Sequence, residues 1–179
     1  MSSDQEAQFV TFSLGAEIFA VPVDVVREIL DHEEAFRIPH GPEYLLGLRD
    51  VRGQGVPVID LRLRLGMSRT DKTPHTRILV IDVPIAGRIL TLGLVADRVY
   101  EVVPFQKSRI ESPPDIGIAW RSDYIAGVVR RDGGFVVIVD LARLFSDSGS
   151  ALSSSALSSS ALASSALTNL AQPDHQSVA

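Results

Sequence analysis

Two aspartates are the first candidates for a reactive pair. Asp60 opens Asp60-Leu61-Arg62 and Asp140 opens Asp140-Leu141-Ala142, 80 positions apart in matching surroundings. In a duplicated β-rich chain such a pair suggests an acid protease, where two carboxylates brought together share one proton. That chemistry needs Asp-Thr/Ser-Gly, whose small residues let the loops meet, and neither site has it. A helix cap used twice accounts for both: a carboxylate at a helix start accepts free backbone N–H groups. The histidines, His32, His40, His75 and His175, fall in expected loops or the tail, without the i, i+4 spacing of a helical metal site. His32 beside Glu33 and Glu34 is a weak divalent-ion candidate; a solvated acidic loop explains it better. Arg52-Gly53-Gln54-Gly55 could cradle an anion, but a hairpin tip with one surface arginine is the commoner meaning. There is no Gly-x-x-x-x-Gly-Lys phosphate loop and no Gly-x-Ser-x-Gly elbow. The sequence offers no catalytic constellation and implies no cofactor.

The elements that carry these residues are punctuated clearly. Residues 44–66 hold an apolar run, a Gly-x-Gly turn at Gly53 and Gly55, a second apolar run, and Asp60 opening a short helical stretch. This predicts a β-hairpin with a bulge or short loop, its glycines supplying positive φ. Pro57 cannot donate to a ladder, so the second run reads as an edge strand, or as starting one there. The stretch recurs over 124–145: Tyr44 and Tyr124, Gly47 and Gly127, Gly53 and Gly133, Asp60 and Asp140, and Leu61 and Leu141 share one constant offset. Five pairs in register point to internal duplication.

In order along the chain, 9–14 alternates as a half-buried strand, Gly15-Ala16-Glu17 turns, and 18–21 completes a first hairpin. Val25, Val26, Ile29 and Leu30 fall on one helical stripe, predicting a helix over 24–30 with Asp24 as N-cap. Residues 67–75 form a polar surface loop separating the halves. Runs 78–81 and 89–95 make a third hairpin around Ala86-Gly87. Asp97 to Val103 matches Asp24 to Leu30 at an offset of about 73, but its alternation fits a strand in place of a helix. Residues 112–117 read as a loop. Ala-Leu pairs at 151, 156, 161 and 166 repeat every five residues, about 140° beyond a full helical turn, so the leucines share no face. The expected organisation is a flexible N-terminus over 1–7, one domain over 8–145 with two subdomains meeting near 67–76, and a disordered tail over 146–179.

Of the 179 residues, 45% are hydrophobic and 22% charged, enough to bury a core. The net charge of −5 and the lack of a basic block argue against nucleic acid. The absence of cysteine removes disulfides and thiolate chemistry, and fits a reducing compartment. No signal peptide and no apolar stretch of about 18 residues is present, so a cytoplasmic protein without membrane insertion is expected. What remains is surplus apolar surface. Runs 78–81, 92–95 and 135–139 are apolar on both alternating faces, so they must cover a second layer. That layer is either the other half of the chain or another protein, which favours a binding module.

Several stretches, taken together, name a family. Phe12-Ser13-Leu14-Gly15, Val21-Pro22-Val23, Val26-Arg27-Glu28-Ile29, Gly47-Leu48-Arg49-Asp50-Val51-Arg52-Gly53 and Val56-Pro57-Val58-Ile59-Asp60-Leu61-Arg62 resemble the CheW coupling proteins of bacterial chemosensory arrays. Gly93 to Val99, Pro113-Pro114 and Tyr124 to Val128 fit too, so the resemblance covers 8–145. Asp50 departs from the asparagine common there; the tail has no counterpart. The resemblance implies an all-β fold with short helices: two intertwined five-stranded SH3-like β-barrels. It also implies a scaffold without catalysis, recruited to membrane-associated receptor arrays. Its partners would be the cytoplasmic tip of a chemoreceptor and the regulatory domain of a CheA-type histidine kinase. By position, Val26, Glu28, Ile29, Gly47 and Leu48 match kinase contacts, and Arg52, Ile78 and Val99 match receptor contacts. The residues themselves leave other roles open. Val26, Ile29, Ile78 and Val99 fit a core, Gly47 a bulge or close backbone approach, and Glu28 a solvated charge.

Overall fold

The computed structural model describes residues 5–113 and 124–146. Its ten strands are β1 (Glu6–Leu14), β2 (Glu17–Pro22), β3 (Val26–Asp31), β4 (Leu45–Val51), β5 (Gln54–Asp60), β6 (Arg77–Ile85), β7 (Arg88–Ala96), β8 (Arg98–Gln106), β9 (Ile125–Arg131) and β10 (Gly134–Val139). Two short helices, α1 (Leu61–Arg64) and α2 (Leu141–Ser146), follow β5 and β10. The strands form two five-stranded sheets, ordered β8-β1-β2-β10-β9 and β3-β6-β7-β5-β4. Each sheet takes a hairpin from one half of the chain and three strands from the other. The segment 67–76 joins the halves in sequence, while each sheet draws on both.

The duplication holds in detail. β5 runs parallel to β7 through Val58–Gly93, and β10 runs parallel to β2 through Ile138–Ala20. Asp60 N–H donates to Tyr44 O at 2.8 Å, and Asp140 N–H to Tyr124 O at 2.7 Å. Leu48 and Val128 each receive one outside bridge, from Phe36 and Glu111. Asp60 caps α1 by accepting the amides of Arg62 and Leu63, and Asp140 Oδ1 accepts the Arg143 amide in α2. Both aspartates work as helix caps.

Packing explains the doubly apolar runs. Ile78, Val80 and Val95 face the second sheet's own interior with Val51, Val56 and Val58. Leu79, Ile81, Leu92 and Leu94 face the opposite way, into a larger core shared with Phe12, Leu14, Phe19 and Val21 of the first sheet. The first sheet encloses its own cluster around Phe9, Phe105 and Ile138. Three cores therefore lie in series, and the second layer these runs cover is the other half of the same chain.

Four expectations need correction. Residues 24–30 are no helix: a 3₁₀ turn spans Val23–Val25 and β3 follows, paired with β6 from Val26–Ile81 to Asp31–Arg77. β-branched Val26 and Ile29 suit that ladder. A bulge between Val26 and Glu28 turns Val26 to the shared core while Leu30 packs into the barrel interior, and this shift imitated a helical stripe. Asp24 caps nothing, since the turn has no side-chain cap. β5 is no edge strand: it lies between β7 and β4, and its parallel ladder to β7 starts at Val58, one residue after Pro57. Finally, β1 begins at Glu6, so residues 6 and 7 are paired with β8 and not part of a loose terminus. The tail over 147–179 and the expected loop from 114 to 117 lie outside the described residues.

Candidate functional site

The residues singled out by sequence do not form one cluster. Ile78 is only 1% exposed, enclosed in the second barrel, and offers no surface to a partner. Val26 and Val99 sit half-buried at equivalent places in the two halves, both packed against the shared core. Gly47 is buried, and a Cβ there would lie 2.1 Å from the Phe36 carbonyl oxygen. Its φ of 148° also belongs to glycine, so its role is to admit the Phe36 backbone, which bridges to Leu48. Leu48, half-buried, exchanges backbone hydrogen bonds with Phe36 at 2.7 and 2.8 Å. Thus Gly47 and Leu48 shape the edge of β4.

At one end of the second barrel Glu28 meets Arg52, and Ile29 follows Glu28 on the opposite face of β3, the face shared with Leu79. β3 and β4 are the two edges of this sheet, and side chains tie them. Arg52 Nε and Nη2 donate to the two Glu28 oxygens at 3.1 and 3.2 Å. Arg27 Nη1 donates to Gln54 Oε1 at 3.3 Å, and Arg49 Nη1 to the Asp31 carbonyl at 2.7 Å. The Arg52 guanidinium, through its hydrogen bonds, holds the Glu28 carboxyl below the usual glutamate range. Arg52 is fixed at both ends, because its backbone forms the turn. Val51 pairs with Gln54, and Arg52 and Gly53 take φ of 53° and 82°. That is a two-residue type I′ turn, steadied by Asp50 Oδ1 accepting the Gly53 amide at 2.7 Å. The positive φ expected at Gly55 falls on Arg52 instead.

The result is an exposed arginine, its side chain 81% accessible, held over a glutamate that is only 17% accessible. On the other face of the same edge strand Ile29 leaves 45% of its surface open. Rigid backbone, one apolar side chain and a pre-positioned planar donor fork suit protein recognition. Among the described residues no group of three or more His, Asp or Glu side chains could hold a metal ion. Phe36, 79% exposed, was not singled out by sequence because its bridge to Leu48 has no local signature.

A CheW-like domain model matches residues 8–149. The chain belongs to the CheW-like family. It is 31% identical over 145 residues to a probable chemotaxis protein CheW of Rhizobium etli, covering 81% of this chain and 91% of that protein. The chemotaxis protein CheW of Treponema pallidum is 28% identical over 144 residues, covering 80% of this chain and 85% of its own. In three dimensions the chain resembles a scaffolding protein, TtCheW of Thermoanaerobacter tengcongensis, with a TM-score of 0.69 and 30% identity, covering 79% of this chain and 93% of that structure. The expected family and the two-barrel fold are both borne out. No helix among the described residues is long and apolar enough to cross a membrane.

Proposed function

We propose that this chain is a non-catalytic chemosensory scaffold that couples chemoreceptor tips to the regulatory domain of a CheA-type histidine kinase, at membrane-associated receptor arrays. Membership of a family whose relatives are chemotaxis proteins and a scaffold supports the general reading. The observation that carries the docking surface is the barrel end where Glu28 fixes Arg52, with exposed Ile29 following on the same edge strand. We assign the kinase contact to Val26, Glu28 and Ile29, with Gly47 and Leu48 shaping the neighbouring strand, and place Arg52, held by Glu28, where that contact borders the receptor's. Val99, half-buried at the flank of the shared core, is assigned to the receptor hairpin, a coiled coil that suits helix-in-groove binding. Ile78 takes no direct part in that contact, because it is interior.

Calorimetric titration of the full chain with the regulatory domain of its cognate kinase tests this. Wild type binds saturably, and Ile29→Glu abolishes binding while keeping its circular dichroism spectrum, because a charge replaces the apolar anchor. A folded Ile29→Glu chain that binds like wild type moves the kinase face elsewhere. A wild type that does not bind removes the adaptor reading.

A further inference from the structure

The hairpin of β6 and β7 is longer than its duplicate within the same chain. Gly93 corresponds to Ala20, since each is the parallel partner of equivalent residues, Val58 and Ile138. Leu90 then corresponds to Glu17, and the pair Val83–Leu90 to Leu14–Glu17. The first hairpin turns there, through Gly15-Ala16. The other adds Pro84–Ile89 and Ile85–Arg88 before turning at Ala86-Gly87. Two extra residues per strand carry the tip about 7 Å further out.

The added face is apolar and directed. Directly opposed residues share a face of the sheet, so Ile78–Val95, Val80–Gly93, Asp82–Thr91 and Pro84–Ile89 follow one another along the barrel side. The first two pairs lie in or against the barrel interior. Asp82 and Thr91 close it with a 2.6 Å hydrogen bond, and Arg27 reaches Asp82 at 3.5 Å. Beyond this polar lid, Ile89 is 69% exposed, with exposed Pro84 opposite. Arg27 also holds Gln54, next to the Arg52-Gly53 turn. Carried back four residues, the β5–β7 register brings Gln54 alongside Ile89. Nothing lies within 4 Å of the Cβ positions of Gly53 and Gly55, so the floor between the tip and Arg52 is open backbone.

We propose that the Pro84–Ile89 tip is a second apolar anchor for the kinase regulatory domain, continuous with the barrel end formed by Glu28 and Arg52. This rests on the adaptor reading above. A lone exposed isoleucine is ordinary, but this one stands on an extension that the chain's own duplicate lacks, at the end where the docking residues gather. Three side chains fall well short of the roughly 800 Å² per partner of a stable interface, and the tip lies next in line. Pro84 withholds a backbone donor, so the partner docks on side chains and does not add a strand.

The test is calorimetric titration with the isolated kinase regulatory domain, using wild type, Ile89→Ser, Ile29→Glu and a chain lacking Pro84, Ile85, Arg88 and Ile89. That deletion joins Val83 to Leu90 through Ala86-Gly87, the shape β1 and β2 already adopt. Ile89→Ser, a surface change that leaves the fold intact, weakens binding about tenfold, and the shortened hairpin by at least as much. Wild-type affinity in folded Ile89→Ser, with Ile29→Glu unable to bind, overturns the tip as an anchor and leaves the adaptor reading standing. No binding by wild type overturns both.

Discussion

Asp97 receives two donors from far along the chain: the Arg62 guanidinium, with Nε at 3.1 Å, and the Gly15 amide at 2.6 Å. Burial alone raises its carboxyl pKa, but Arg62 and the Gly15 amide outweigh burial and the net shift is downward. A carboxylate lowered on folding stabilises above its unfolded value, and that stabilisation fades as pH falls through the folded one. Asp97→Asn therefore costs about 2 kcal/mol in urea unfolding at pH 7. The gap from wild type closes toward pH 3. His32 runs the other way in charge. Burial, then Lys72 and Arg49, push its pKa down against the pull of Glu34, and its Nε2 has no hydrogen-bond partner among the described residues. The folded state resists protonation, so this stability is present above about pH 6.5 and is lost as pH falls. His32→Gln flattens the slope of urea midpoints between pH 7 and 5; an unchanged slope assigns it to other groups.

At the scale of the element, glycines divide by what they face. Gly47 combines positive φ with a carbonyl oxygen in the path of any Cβ, and backbone cannot step aside, so Gly47→Ala costs at least about 3 kcal/mol. Its duplicate Gly127 meets the Ile110 side chain at 2.4 Å and the Glu111 carbonyl at 3.2 Å. A side chain can shift, so Gly127→Ala costs about 1–2 kcal/mol. Gly55→Ala, in open space, changes little. Urea midpoints rank the three, and equal losses at Gly47 and Gly55 refute the close-approach account. Hairpins and caps were legible in sequence because glycine turns and Asp60 and Asp140 are local signals. β3 was not, because its bulge placed Val26 and Leu30 on different cores. The alternation of Val99, Glu101 and Val103 in the duplicate already showed that strand. The proposed docking end was half legible: family resemblance pointed to Glu28, Ile29 and Arg52, but the bridge of Phe36 to Leu48 and the alignment of Ile89 with Gln54 depend on distant pairing. Ile78 was read as a groove residue because an apolar run cannot show that both of its faces are enclosed.

At the scale of the whole molecule, the exchange of strands decides how the chain can come apart. The first half supplies β1 and β2 to one sheet and β3, β4 and β5 to the other; the second half supplies the remainder. Neither half holds a complete barrel. The shared core draws Phe12, Leu14 and Phe19 from one half and Leu79, Ile81 and Leu92 from the other. A chain of two consecutive barrels, cut in its linker, would leave two folded pieces. Here a cut within 67–75 leaves each piece with unpaired strand edges and an uncovered apolar face, which short sheets do not survive alone. Fragments 1–70 and 71–179 are thus expected to lack cooperative unfolding when separate, and to regain the native circular dichroism spectrum on mixing. Their reassembly depends on concentration, because folding has become association. A cooperative transition in fragment 1–70 alone means that β1, β2 and the β3–β5 unit suffice without the other half. The same interleaving gives the proposed docking end its rigidity. β3, which carries Glu28 and Ile29, is held by β6 of the opposite half, so its position is fixed only when the whole chain has folded.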